Sequence, residues 1–390
     1  MIKLAERMSR LGTESAFEVL AKAKALEAKG KDVVHLEIGE PDFDTPDNIR
    51  EAGAKAIWDG YTHYSNAQGI PEIRTAIAEI VGKEKGLTVK PEEVFVTPGA
   101  KPIMFFGMLA LVDEGDEVVY PNPGFPIYES VIEFLGAKAV PAKLEESKEF
   151  CFDVDALRKL VTPKTKMIII NSPQNPTGGV LLKEDLEAIA EIAKENDAWV
   201  LSDEVYCRIL YEGEFMSIAS LPGMRERTIV LDGFSKTYAM TGWRLGYGIM
   251  PEELAQKLTQ IQINATSCTC TFAQIAGAEG IRGDQSASNA MVAEFKKRRD
   301  VIVDGLNAIP GITCLRPKGA FYVFPNITGT GIKSQELSDL LLNDAGVAGL
   351  PGTAFGAEGE GYLRFSYANS VENIQKALKN IATTLAKVKK

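Results

Sequence analysis

The sequence predicts an α/β protein: a mostly parallel sheet with helices on both faces, followed by a smaller α+β unit. Three observations carry this expectation. Strand-like and helix-like segments alternate from Glu93 to Leu231. The segment from Lys166 to Ile170 runs apolar without a break and ends at Asn171, as suits a strand buried on both faces of a parallel sheet. After Pro251 helices dominate, and short strand-like pieces follow them. A chain of 390 residues also exceeds one ordinary core, so two domains are expected. Residues 46–285 form the larger one, while residues 1–45 and 286–390 together form the smaller.

The elements follow in order. Ser15 to Gly30 has helical spacing of Phe17, Leu20, Ala21, Ala25 and Leu26, and glycine stops it. Asp32 to Ile38 reads as a strand that runs into an irregular turn, Gly39 to Pro46, holding two prolines. A helix is expected from Pro46 to Trp58, then a loop from Tyr61 to Gly69, then a helix that Pro71 opens and that reaches Lys85. Val94–Thr97 is a short strand, Pro98–Lys101 a tight turn, and a helix continues to Leu111. Glu117–Tyr120 is a strand, Pro121–Pro126 a loop, and a helix leads to Leu135. Strands are expected at Lys138–Pro141, Lys166–Ile170, Ala198–Ser202 and Thr228–Leu231, with a helix from Lys183 to Asn196. Helices dominate from Glu252 to Leu306, interrupted by the polar stretch Asn264–Thr271. Strand-like pieces at Ile312–Leu315, Ala320–Phe324 and Gly361–Ser366, and helices at Ser334–Leu342 and Val371–Val388, complete the smaller unit.

Composition excludes several functions. A net charge of −10 argues against nucleic acid and anionic membrane surfaces as partners. Met1 to Leu11 mixes Lys, Glu and Arg, so no signal peptide is expected, and no apolar run reaches the length of a membrane span. The five cysteines include Cys268-Thr-Cys270, which is too closely spaced for a usual zinc knuckle and has no second pair. Buried free thiols in a reducing cytoplasm are the expectation, and no metal is expected. His35 and His63 are the only histidines, too few for a His-based triad or cage.

One stretch, Asp232 to Gly248, concentrates the chemistry. It places Lys236 among Gly, Phe, Ser, Tyr, Met and Trp, and Arg244 eight positions on. Desolvation in such a setting lowers a lysine's pKa and makes it a nucleophile toward carbonyls. A packed strand end with a snorkelling lysine fits the same stretch equally well. The rest of the chain bears on the choice. In open α/β sheets ligands sit beyond the carboxyl ends of the strands. There lie Gly99-Ala100-Lys101, Phe125, Asn175, Asp203 with Tyr206, and Lys236 with Arg244. No G-x-G-x-x-G follows the first strand and no G-x-x-x-x-G-K-[ST] occurs, which removes the dinucleotide-binding and P-loop readings.

Five further blocks, in order, carry a resemblance that spans almost the whole chain from Ser15. They are Thr97–Lys101, Asn171–Gly178, Ser202–Tyr206, Ser235-Lys236 with Met240–Tyr247, and Leu363–Tyr367; Gly39–Pro46 reads G-E-P-D-F-D-T-P. The chain resembles the class I aminotransferases of fold type I, in their prokaryotic aspartate, alanine and aromatic branch. These enzymes use pyridoxal 5′-phosphate (PLP).

The resemblance implies roles. Lys236 holds the cofactor as an imine and then moves the substrate Cα proton. Asp203 pairs with the pyridine nitrogen, and it also suits a helix N-cap. Tyr206 and Asn175 hydrogen-bond the ring oxygen, Asn175 being equally suited to a turn before proline. Arg244, Ser235 and the amides of Gly99, Ala100 and Lys101 take the phosphate. Relatives commonly carry a serine three residues before the lysine; Gly233 stands there, which removes one phosphate contact. Phe125 stacks on the ring, and Tyr64 reaches the phosphate of a neighbouring subunit, so a homodimer with a shared site is expected. Arg364, aided by the amide of Gly39, clamps the substrate carboxylate. Lys101 is a candidate partner for a distal carboxylate, whereas the bulk of Phe17 favours alanine, aromatic or other apolar amino acids. The expected activity is ping-pong transfer of an amino group between an L-amino acid and a 2-oxo acid. The rivals are a C–S lyase on the same scaffold, a cofactor-sensing regulator and a simple metabolite-binding protein.

Overall fold

The computed structural model describes residues 2–388. In chain order its strands are β1 (Val34–His35), β2 (Val94–Thr97), β3 (Glu117–Asn122), β4 (Lys138–Lys143), β5 (Thr165–Asn171) and β6 (Trp199–Asp203). They continue as β7 (Thr228–Gly233), β8 (Gly246–Ile249), β9 (Tyr322–Val323), β10 (Val347–Ala348), β11 (Leu350–Pro351) and β12 (Leu363–Ser366). Seven of them make one sheet in the order β2-β8-β7-β6-β5-β3-β4. All its pairs are parallel except those that β8 makes with β2 and β7.

The apolar run in β5 shows how the sheet is held. Ile168 and Ile170 enter one core, shared with Leu186, Ile189, Ile192 and Ala193 of the helix Lys183–Glu195. Met167 and Ile169 enter another, shared with Ile103 and Met108 of the helix Lys101–Leu111 and with Leu254 and Leu258 of the helix Glu252–Ala265. Each such fully buried side chain contributes about 1.5–3 kcal/mol, and β5 supplies four of them on alternating faces. A third core packs the helices Asp47–Trp58 and Thr271–Arg282 against Val94, Val96, Val230 and Tyr247.

A second assembly joins the two ends of the chain. β1 pairs in parallel with β10, and β11-β12-β9 form an antiparallel sheet. The long helices Ser286–Asn307 and Val371–Val388 bury Phe295, Ile302, Leu306, Ile374, Ile381 and Leu385 against Phe321 and Phe365. No described helix is long and apolar enough to cross a membrane.

Several expectations are corrected. β8 is an addition to the expected strands: glycine at its first and third positions leaves Gly246 to Ile249 without a strand pattern. Those glycines are what allow it in the sheet, because a Cβ on Gly246 would strike the backbone of Gly99 and Ala100, and one on Gly248 would strike Ile103. Of the strand expected at Asp32–Ile38 only Val34–His35 pairs, since β10 is just two residues long. Ile312–Leu315 contributes a single bridge, Thr313 to Asn326, in place of a strand. The short strands β10 and β11, split by Gly349, were also missed.

Candidate active site

The strand ends set the site. Register places Asn171 beside Asp203, and Asp203 beside Leu231, so β5 and β6 stop at one level and β7 runs two residues further, to Gly233. Beyond them opens a cavity of about 460 Å³. Lys236, Asp203, Tyr206, Asn175, Ser235, Arg244, Ala100, Lys101, Phe125, Gly39, Arg364 and Phe17 all line it, residues drawn from ten separate segments of the chain.

Lys236 sits on a short helix, Phe234–Thr237, that starts where β7 ends. Its Nζ donates to the Gly39 carbonyl at 2.6 Å. Burial pushes the amine down to about 8; the charges of Glu40 and Glu14 oppose that fall without cancelling it, and those of Lys101 and Arg364 add to it. The Gly39 carbonyl, and not its amide, is therefore the group now engaged. Asp203 is buried at 7% exposure. The Tyr128 hydroxyl donates to its Oδ2 at 2.6 Å, and the Val205 amide approaches Oδ1 at 3.4 Å. Burial raises its carboxyl to about 6 against the pull of those donors, with the nearby charges of Asp232 and Glu204 adding to the rise.

The loop after β5 is stitched to this carboxyl's strand. Asn171 Nδ2 donates to the Asp203 carbonyl at 3.0 Å, and the Asn175 amide donates to Asn171 Oδ1 at 2.9 Å. Asn175 Oδ1 in turn accepts from Arg364 Nη1 at 3.3 Å. The second Arg364 nitrogen donates to the Glu37 carbonyl, and Nε has no hydrogen-bond partner although it is buried. The guanidinium lies 4.6 Å from the Tyr322 ring centre and 5.0 Å from that of Phe355. A buried cation held only by carbonyls and ring faces is under-compensated, and burial lowers its proton affinity accordingly. Tyr206 meets the Tyr322 hydroxyl at 2.8 Å, and Gly39 has no Cβ because that hydroxyl fills the space.

At the other end Arg244 adopts a left-handed φ of 55° and donates to the Thr241 carbonyl at 2.8 Å. Its guanidinium occupies the place a Gly99 side chain would take. The amides of Ala100 and Lys101 open the helix Lys101–Leu111 beside it. Gly99 itself backs this end without lining the cavity. Lys101 is ion-paired with Glu14 and sits 5.4 Å over the Phe125 ring. Phe17 remains 63% exposed at the rim. Tyr64 is 89% exposed and outside this chain's cavity. Sequence reasoning missed Tyr128, Tyr322, Asn171 and Glu14; Tyr128 and Tyr322 lie inside apolar elements and carry no local signal.

The model of the family "Aminotransferase class I and II" matches residues 31–381. An aspartate aminotransferase of Pyrococcus abyssi is 45% identical, with 92% of this chain and 93% of that protein covered. Aromatic-amino-acid aminotransferase 2 of Thermococcus litoralis is 41% identical over 99% of each chain. Among solved structures, aspartate aminotransferase from Thermus thermophilus with maleate superposes with a TM-score of 0.94 at 39% identity, covering 98% of this chain and 100% of that one. The order of elements, the converging strand ends and these likenesses agree, and the chain belongs to the class I and II aminotransferases, PLP-dependent enzymes of fold type I that carry out transamination.

Proposed function

We propose that this enzyme moves the amino group of an L-amino acid to a 2-oxo acid by a ping-pong route, in a cavity where Lys236, Asp203 and Arg364 do the work. One observation carries this reading. Three ionisable groups face one cavity, and their hydrogen-bond partners are neutral: a carbonyl for Lys236, a phenol for Asp203, carbonyls for Arg364. Such a set fits a ligand that brings its own charges, as PLP and an amino acid do together.

When bound, the cofactor supplies an aldehyde carbon that takes up the amino group and a ring that accepts electron density from Cα. The protein supplies the rest. Lys236 would hold the cofactor through its neutral amine and, when free, would serve as the base for the Cα proton. Asp203, itself held by Tyr128, would pair with the ring nitrogen. Tyr206 and Asn175 would hydrogen-bond the ring oxygen, and Phe125 would cover the ring. Arg244, Ser235 and the amides by Gly99, Ala100 and Lys101 bind the phosphate, combining a forked cation with a helix N-terminus. Arg364 takes the substrate α-carboxylate on its unpartnered edge.

The substrate classes are aspartate, alanine or aromatic amino acids, with glutamate and 2-oxoglutarate as the shared pair. Relatives named for aspartate and for aromatic amino acids support that range. Lys101 already has Glu14 as a partner, so a dicarboxylate must displace it, whereas an apolar side chain packs beside Phe17. The exposure of Tyr64 and of Trp58, at 89% and 90%, supports a homodimer in which Tyr64 completes the neighbour's phosphate site. The two-domain division at residues 45 and 285 and a cytoplasmic location belong to the same reading. An absorbance spectrum tests it. A single amino acid, added without oxo acid, should abolish the cofactor's visible band stoichiometrically, and a 2-oxo acid should restore it. Continuous ammonia release would point to a lyase instead.

A further inference from the structure

Behind the strand ends that carry Asp203 and Lys236 lies a buried charge cluster that the reaction above leaves unused. Asp203 and its register partner Leu231 line the cavity. The residues that follow them, Glu204 just past β6 and Asp232 within β7, do not line it. Both meet Lys85, whose Nζ is 2.8 Å from Glu204 Oε2 and 2.9 Å from Asp232 Oδ2. The three side chains are 2%, 5% and 3% exposed for Glu204, Asp232 and Lys85. Every remaining oxygen is satisfied: Ser202 and Ser217 donate to Glu204 Oε1, Tyr247 donates to Asp232 Oδ2, and the Gly233 amide to Oδ1. Cys207 Sγ is 3.3 Å from Lys85 Nζ and 3.5 Å from Asp232 Oδ2.

We propose that Lys85, Glu204 and Asp232 are positioning residues for transamination: they clamp the two strand ends together behind Asp203 and Lys236, and their net negative charge favours the proton that Asp203 holds on the cofactor's ring nitrogen. The clamp joins separate pieces of chain. Lys85 comes from the helical segment near residue 82, Glu204 follows β6, and Asp232 lies within β7, four residues before Lys236. The Glu204 amide also donates to the Leu231 carbonyl at 2.8 Å, tying the two ends directly. Two carboxylates and one ammonium leave one negative charge. It acts on Asp203 together with the groups facing that carboxyl from other elements, namely Tyr128, the Val205 amide and Tyr206. Lys236 and Arg364 face the same cavity, and Tyr247 and Cys207 face the cluster. Aliphatic side chains of similar volume commonly stabilise such a location better than buried ions do, so stability alone is a weak account of the cluster.

The proposal rests on the reading that Asp203 meets the ring nitrogen, and the test separates the two. The folded protein is loaded with ¹⁵N-ring-labelled PLP, and the ring-nitrogen chemical shift is followed against pH. Glu204→Gln and Asp232→Asn each keep shape and remove one negative charge. Each should lower the pH at which the ring nitrogen loses its proton by about one unit, a tenfold change. Ser217→Ala, a milder change, keeps the charge, strips one donor from Glu204 and should move the midpoint slightly upward. Unchanged midpoints in Ser217→Ala and in whichever charge variants fold would overturn the proposal and leave the cluster a structural clamp only. Asp203→Asn is the control. If it leaves the ring shift unaltered, the reading of Asp203 fails; if it alone alters the shift, the cluster proposal fails and that reading stands.

Discussion

The two sides of the same strand ends each withdraw a lysine from water, and the two lysines behave oppositely. Lys85 meets two carboxylates, and its proton affinity rises well above the ordinary lysine range despite burial. Lys236 meets one carbonyl, and its amine falls to about 8. Burial is common to both and disfavours the charged amine in each; it prevails at Lys236, where no carboxylate is in contact, and is outweighed at Lys85, where two are. The contacts of the nearby carboxyls differ in the same way. Glu204 and Asp232 have a cation in contact, whereas Asp203 has a phenol and is pushed up to about 6.

Five substitutions, one of them a matched comparison, break or sharpen that contrast, from the largest effect to the smallest. Lys236→Ala should abolish the visible band of the loaded enzyme and lower turnover by about 10⁴-fold or more, because it removes both the attachment and the proton carrier. Lys85→Met should leave transamination chemistry possible but cost about 3–5 kcal/mol of stability, since it strands two buried carboxylates. Urea unfolding of the cofactor-free protein measures this, and Lys236→Met in the same assay should stay within about 1 kcal/mol of the parent. Equal losses in the two variants would erase the distinction between the lysines. Arg364→Ala should lower kcat/KM for every amino acid by about a hundredfold, on the scale of a bidentate charged contact worth about 3 kcal/mol. A loss confined to dicarboxylates would instead exchange its role with that of Lys101. Tyr128→Phe should have the smallest effect, about 1 kcal/mol in kcat/KM, and should raise the Asp203 carboxyl further by removing the donor that opposes burial.

The pH dependence follows from the same contrast. Below about 8 the Lys236 amine is protonated and cannot attack an aldehyde; above it the neutral amine predominates. The rate at which cofactor-free protein takes up PLP should therefore rise with pH and level off above about 8, read from the growth of the visible band. A rise continuing toward the ordinary lysine range, about 10.4, would mean that the amine is solvated or paired.

Much of this was legible in the sequence, for physical reasons. Asp203 ends an apolar strand, and Lys236 and Asn175 sit just past two others, where periodicity stops and Gly or Pro marks a turn; Arg244 lies farther along the stretch that holds Lys236. Arg364 stood out as a charge inside an apolar strand. What escaped depends on tertiary approach. Tyr128 reaches Asp203 across 75 residues, and Lys85 reaches Glu204 across 119, from a helix end that reads as an ordinary solvated lysine. β8 escaped because its glycines, which permit close packing on Gly99 and Ala100, also erase the strand pattern. Glu14 escaped because its partner Lys101 lies 87 residues away, beyond any local pattern.

The most direct test of the account is to reduce the loaded enzyme with borohydride, digest it and locate the cofactor by mass. The tag should lie on Lys236 alone. A tag on Lys85 or Lys101 would contradict it, because the reactive lysine would then be one that already has a carboxylate partner.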